Sequence, residues 1–259
     1  PQPYKPLLDG VAVVIGTAED SPEDPLYTLE EAEAIIAGGR LDYGATLMDR
    51  APQIRVISRT GIGVDKVAVE EATSRGIAVC NAPDAPTIST AEHAISLMLA
   101  VGQQLKWCHR SIRAGGKLDF FTDYDGIEFF GATLGLIGLG RIGGHVAGIA
   151  RGLGMRVMAY DPYVSPDWAA ELDVDLATSL EEVLGAADVL SLHLPLIPET
   201  EGMLNARRLA QMKSGSILIN TARGGLVDEG ALLEALEKGH LYGAGLDVLQ
   251  VKPVPPDHP

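Results

Sequence analysis

The chain is short of several things, and each shortage removes a class of protein. It has two cysteines, Cys80 and Cys108, far apart and with no C-x-x-C spacing. Neither a disulfide framework nor a zinc site is suggested, and a reducing cytoplasm fits. No apolar run approaches the ~18 residues that span a bilayer, and the opening PQPYKPLLDG contains no signal-peptide hydrophobic region. Basic residues are scarce: 20 Lys and Arg stand against 35 Asp and Glu, a formal net charge of −15. Such a surface repels phosphate backbones and anionic lipid, which argues against nucleic acid and membrane as partners. Seven of the acids fall between Glu19 and Glu33 with no Lys or Arg among them. They read as a solvated loop and helix face, not as a binding tail.

What is present fits a soluble globular α/β protein. Its 259 residues are 46% hydrophobic and 21% charged, with 30 Gly and 16 Pro, enough for one large domain or two ordinary ones. Short apolar runs rich in β-branched residues alternate with helix-like stretches, the pattern of parallel sheets. In the first third, strands are expected at 11–15, 54–58 and 77–80, with helices at 28–36 and 67–75. A long helix is expected over 87–105, with Thr87 or Ser89 as its cap, followed by an aromatic connection, GGKLDFFTDYDGIEFFG. A second series then begins. Strands are expected at 133–137, 156–160, 189–193, 216–219 and 243–246, and helices at 141–153, 180–184, 206–212 and 229–238.

The strongest motif is ATLGLIGLGRIGGHVAGIARGLGMRVMAYDPY. A strand runs into Gly138-x-Gly140-x-x-Gly143, a helix follows, and the next strand ends at Asp161, 23 residues after Gly138. Gly138 permits the tight turn, Gly140 lets backbone approach a pyrophosphate, and Gly143 allows close helix–strand packing. The helix N-terminus supplies N–H groups and positive dipole. A carboxylate at Asp161 would bond ribose hydroxyls and repel a 2′-phosphate, favouring NAD over NADP, although Arg151 and Arg156 are near enough in sequence to serve a phosphate.

Other candidates are less specific. The strand at 216–219 delivers Asn220, Thr221, Ala222 and Arg223 to the carboxyl edge of a sheet, where α/β proteins bind ligands. An arginine followed by two glycines can offer a bidentate fork to a carboxylate, or simply lie on the surface. Asp247 ends another strand, as a ligand contact or as a turn cap. His193 ends a third, facing a cofactor cleft or bonded to backbone. Gly61, Ile62 and Gly63 lie between a strand and a helix, either a plain turn or a nest of N–H groups for a small carboxylate.

Together these segments resemble the D-isomer-specific 2-hydroxyacid dehydrogenase family. The matching stretches are SRTGIGVDKVAVEEATSRGIAVCNAP, TAEHAISLMLA, ATLGLIGLGRIG with AYDPY, ADVLSLHLPLIPET and MKSGSILINTARGGLVDEGALLEALEKGHLYGAGLDV. The flavour is that of the phosphoglycerate dehydrogenase branch and the related carboxy-terminal binding proteins. The resemblance implies two Rossmann-like or flavodoxin-like α/β domains, the cofactor domain inserted into the substrate domain. Residues 1–88 would begin the substrate domain, 89–248 would form the NAD-binding domain, and 249–259 would start the return. It implies an NAD-dependent enzyme of a small D-2-hydroxy or 2-oxo acid, cytoplasmic and homodimeric, the aromatic connection resembling the family's intersubunit region. By the same resemblance Arg223 holds the substrate's carboxylate and carbonyl oxygen. The loop from Thr60 to Val64, with Gly61, Ile62 and Gly63, binds the carboxylate. Gly138, Gly140, Arg141, Ile142, Gly143, Asp161, Thr221, Ala222 and Arg223 contact the cofactor. Asp247 contacts the nicotinamide amide, and His193 lies near the cofactor without being the acid/base.

The chain departs from the family at both ends. A glutamate is expected five residues after Asp247, where it polarises a histidine some twenty residues further on; Lys252 stands there, and the sequence stops before that histidine. His258, in a proline turn, comes too early. The family's opening strand–helix–strand unit also fits only partly before VAVVIG. These departures predict a longer parent protein and impaired turnover, because the developing alkoxide needs a proton donor worth about 100- to 10,000-fold. The alternative is a non-catalytic, NAD(H)-sensing interaction protein of the carboxy-terminal binding protein type.

Overall fold

Two stretches, Thr133–Ile137 and Ser216–Asn220, are buried along every residue, as strands covered on both faces must be. They belong to the second of two compact units, Pro1–Pro86 and Thr87–Pro259. The computed structural model describes residues 5–15, 28–39, 41–115, 119, 121–251 and 253–258. Lys252 and most of the acidic stretch lie outside the described residues.

The first unit runs α1 (Lys5–Leu8), a 3-10 turn (Leu29–Glu31), β1 (Ala34–Ala37), α2 (Ala45–Asp49), β2 (Val56–Arg59), α3 (Val69–Ser74) and β3 (Ala78–Cys80). Its strands pair in parallel in the order β1-β2-β3, over a core that includes Leu29, Tyr43, Leu47, Met48, Ile54 and Ile57. Two expectations fail here. Residues 11–15 form a turn and extended chain without a strand partner; Val11 and Ala12 donate back to Leu8 to close α1. The helix expected over 28–36 is a short turn and then β1, paired with β2 from Ala34 to Ala37. Alanine and glutamate favour helix by only a few tenths of a kcal/mol each, which sheet pairing overrides.

The second unit follows as α4 (Thr87–Gly102), α5 (Leu105–Arg113), β4 (Thr133–Ile137), α6 (Arg141–Gly152), β5 (Arg156–Tyr160), α7 (Pro166–Glu171) and β6 (Asp175–Leu176). Then come α8 (Leu180–Ala186), β7 (Val189–Leu192), α9 (Ala206–Leu209), β8 (Ser216–Asn220), α10 (Glu229–Glu237) and β9 (Leu241–Leu246). The sheet is parallel throughout, in the order β6-β5-β4-β7-β8-β9. Side chains alternate across it, as the strand period requires. Ile217 and Ile219 join the layer of α4 and α6, whereas Leu218 joins that of α8, α9 and α10. The order of addition reverses between β4 and β7, so the crevice at their carboxyl ends is where a doubly wound sheet binds its ligand.

The expected 87–105 helix breaks in two. Phe129 packs so closely on Gly102 that a Cβ there would collide with its ring. Gln104 then adopts the left-handed conformation (φ 49°) before α5 begins. Gln103 and Gln104 donate to the carbonyls of Ile127 (2.7 Å) and Asp125 (3.2 Å), pinning the aromatic connection to the helix end. Among the described residues no helix is long and apolar enough to cross a membrane, and no group of three metal-binding side chains gathers.

At the amino edge, Asp188 closes the start of β4. One carboxylate oxygen accepts from the Thr133 N–H (2.8 Å) and the other pairs with Lys213. Burial alone would raise its pKa, but Lys213, the Thr133 N–H and Arg156 outweigh it and hold the carboxyl below its usual value. A depressed pKa stabilises the fold above the unfolded value near ~4 and loses that contribution as pH falls toward the folded value. Asp188→Ala is therefore expected to cost about 1–2 kcal/mol at pH 7 and less at pH 4, read from thermal unfolding of both proteins at each pH. An equal loss at both pH values would exclude the ion pair as the cause.

Candidate cofactor site

The glycine turn between β4 and α6 shows why each glycine is there. Gly138 has φ +96°, in the left-handed region, and a Cβ on it would strike the carbonyl of His193 at the end of β7. A Cβ on Gly143 would strike the Gly138 carbonyl, so α6 can lie this close to the strand only without one. Gly140 is different. It caps α6 in an extended conformation, is exposed, and has open space where its Cβ would be. Nothing in the protein forbids a side chain there, but a ligand approaching the helix N-terminus would. Arg141 and Ile142 form the first turn of that helix, exposed and half-buried respectively.

Asp161 follows β5 directly. Its Oδ2 accepts from the Leu139 N–H and its Oδ1 from the Tyr163 N–H, both at 2.9 Å. The carboxylate thus lies against the glycine turn while remaining half-buried. Neither arginine suggested by the sequence is beside it. Arg151 is committed to Asp173 (2.5 Å) and the Leu172 carbonyl (3.2 Å). Arg156 begins β5, at the opposite end of the strand from Asp161.

At the end of β8, Asn220 builds a second turn. Its Nδ2 donates to the Arg223 carbonyl (2.9 Å) and its Oδ1 accepts from the Ala222 N–H (3.0 Å), while its own carbonyl accepts from the Asp247 N–H (3.0 Å). One buried amide therefore fixes the backbone of Ala222, Arg223 and Asp247, a role its residue type alone does not announce. Gly224 sits against the backbone of Leu249 and Gln250, and Gly225 against Leu196, so the two glycines after Arg223 are there for close packing. The Arg223 guanidinium is half-buried and donates through Nη1 to the Ala222 carbonyl (2.8 Å). Thr221 is 8% exposed, and its hydroxyl is one of three buried side-chain atoms without a hydrogen-bond partner among the described residues. The other two, on Ser216 and Arg208, belong to the start of β8 and to α9; only Thr221 is at the ligand-binding edge. A buried hydroxyl without a partner costs about 1–3 kcal/mol, which a bound ligand would restore. The residues present fit a dinucleotide.

Asp247 is half-exposed and its Oδ1 lies 3.2 Å from His93 Nε2 on α4. His193 is spoken for by structure. Its N–H donates to Ile137 (2.8 Å), its Nε2 lies 2.9 Å from the Ser191 hydroxyl, and burial pushes its pKa down to about 4. It is neutral near pH 7. His258 meets Glu229 on α10 (3.2 Å).

The loop of Gly61, Ile62 and Gly63 belongs to the first unit. All three carbonyls are taken: by the Ala82 N–H (3.2 Å), by Asn81 Nδ2 (2.9 Å) and by Arg59 Nε (2.9 Å). Arg59 also donates to the Ala37 carbonyl (3.0 Å) and to Gly38. The bonds to the carbonyls of Gly61, Ile62 and Gly63 fix the loop and do not occupy the N–H groups of Ile62, Gly63 and Val64.

A six-stranded parallel sheet in this order, with a glycine turn, helix N-terminus and acid at its switch point, defines a Rossmann-type dinucleotide-binding unit. Residues 95–259 match the family model described as D-isomer specific 2-hydroxyacid dehydrogenase, NAD binding domain. The chain belongs to that family, and its cofactor is NAD. It is 42% identical over 228 residues to the D-3-phosphoglycerate dehydrogenase of Mycobacterium leprae, covering 88% of this chain and 43% of that one. It is 39% identical over 251 residues to the Bacillus subtilis protein of the same name, covering 96% and 46%. It thus spans less than half the length of these curated relatives. Among solved structures, the D-lactate dehydrogenase of Aquifex aeolicus complexed with NAD and lactic acid superposes with a TM-score of 0.81 at 31% identity, over 96% of this chain and 75% of that one. The TT0316 protein of Thermus thermophilus gives 0.83 at 42% identity, over 95% and 76%.

Proposed function

We propose that the chain forms the NAD-binding domain (89–248) and part of the substrate domain (1–88, with a return beginning at 249–259) of an oxidoreductase for small D-2-hydroxy and 2-oxo acids. The observation that carries the reading is the carboxyl edge of the second sheet. There the glycine turn, the unpartnered Thr221 hydroxyl, Arg223 and Asp247 lie on adjoining strand ends, β4 and β9 being three strands apart, or about 14 Å. Gly138, Gly140, Gly143, Arg141, Ile142, Asp161, Thr221, Ala222 and Asp247 would hold the cofactor, which when bound supplies or accepts the hydride. Arg223 would grip the substrate's carboxylate and carbonyl oxygen with its fork. His193, neutral and bonded to Ser191, does not serve as the proton donor.

Lys252, at the family's glutamate position, favours impaired turnover. A lysine beside the acid/base imidazole would depress its pKa and remove its orienting acceptor. The same residue motivates the second reading, a dimeric NAD(H)-sensing protein. NADH oxidation with a panel of 2-oxo acids, run beside NAD(H)-dependent self-association, separates the two. On the enzyme reading, slow turnover is detected, and Lys252→Glu raises kcat once the acid/base histidine is supplied in the same chain. No turnover in either protein, with association that follows NADH, would favour the sensor.

A further inference from the structure

Leu139, between the first two glycines of the turn, is fully buried and has both of its backbone groups bound by side chains from the segment after β5. Its N–H goes to Asp161 (2.9 Å) and its carbonyl accepts from the Trp168 indole Nε1–H (3.0 Å). The first contact belongs to the dinucleotide fingerprint; the second does not. Trp168 is on α7, positioned by its own cap: Ser165 Oγ accepts from the Trp168 N–H (3.2 Å) and Pro166 opens the helix. Gly144, the glycine immediately after the fingerprint, makes room for it. A Cβ at 144 would lie 3.3 Å from Leu172 and 3.9 Å from the Trp168 ring. The absence of that side chain leaves room for Leu172 and the Trp168 ring beside the start of α6.

We infer that Trp168 is a positioning residue for NAD, bracing the phosphate-binding turn by holding the Leu139 carbonyl. The carbonyl of Leu139 and the N–H of Gly140 belong to one planar peptide, so the indole bond fixes the plane through which the chain enters α6. Gly140, whose open side faces the ligand, and the Arg141 and Ile142 amides behind it are set by that plane. Without the brace, the turn would have to be ordered by the cofactor itself, and affinity falls when binding must order its own site. The inference rests on the dinucleotide site described above.

The test compares two substitutions. Trp168→Phe keeps an aromatic ring and loses the donor. Trp168→His keeps a donor, since the imidazole Nε2 overlays the indole Nε1 on the same five-membered ring, and loses the packing. Titration calorimetry of the ligand-free proteins with NADH and with ADP-ribose gives the readout. Trp168→Phe should weaken both ligands by about five- to tenfold, the worth of one hydrogen bond, and Trp168→His should stay within about threefold of the parent. A merely structural tryptophan gives the reverse order, with His worse than Phe in unfolding midpoint and in affinity. Phe within twofold of the parent, ADP-ribose unaffected, or His losing more than Phe would each overturn the brace. Failure of the parent itself to bind NADH would instead remove the cofactor site, and the inference with it.

Discussion

Arg223→Gln should lower kcat/KM for reduction of a 2-oxo acid by roughly 100- to 20,000-fold, with a much smaller change in NADH affinity. Glutamine fills similar space but brings neither the charge nor the two parallel N–H donors. Hydrogen bonds to charged groups are worth about 1.5–3 kcal/mol each, and two of them convert to about that range at ~1.4 kcal/mol per factor of ten. Arg223→Lys should fall between the two, since lysine keeps charge and loses the fork. The backbone at 223 is set by Asn220 and by the close packing of Gly224 and Gly225, so neither change should disturb the turn. The measurement is steady-state kinetics alongside NADH titration. A variant that keeps its kcat/KM would show that the substrate carboxylate is held elsewhere, and the assigned substrate site would be abandoned.

Gly143→Ala should cost about 1–3 kcal/mol of stability, a drop of several degrees in unfolding midpoint, and should abolish measurable NADH binding. The new methyl meets the Gly138 carbonyl, a backbone atom at the tightest point of the turn, so β4 and α6 must separate. Gly140→Ala is the control, because its Cβ enters open space. That variant should unfold with the parent and still lose NADH. If instead Gly140→Ala binds NADH normally, the pyrophosphate does not pass over the α6 N-terminus.

The cofactor unit was legible because its signals are local. Residues 133–137 and 156–160 form strands with the expected bounds, each being a short apolar run next to its turn glycine or acid. The first unit was harder to read. β1 forms where alanine and glutamate suggest helix, and its pairing to β2 lies some twenty residues away. α7 and the two-residue β6 escaped notice, one too short for a clear period and the other an edge strand with little apolar content. In the site, residue type and spacing pointed to Gly138, Gly140, Gly143 and Asp161. Asn220 stood at the sheet edge without showing that it builds the turn, and Arg59 and Trp168 did not announce themselves, because they act on backbone 22 and 29 residues away. Only the fold brings such pairs together. Conversely, Arg151 and Arg156 were near Asp161 in sequence and are engaged elsewhere or at the other end of its strand.

The strand order has a consequence for how the chain is made. β4 takes β5 as one neighbour soon after it leaves the ribosome, but its other neighbour, β7, is translated some fifty residues later. In that interval Leu134, Leu136 and Ile137 sit on a strand with one row of amides and carbonyls open, the arrangement that recruits stray strands. Synthesis through residue 192 is therefore the interval in which this unit most needs a chaperone. A pause placed before β7 would harm its yield more than one placed after it.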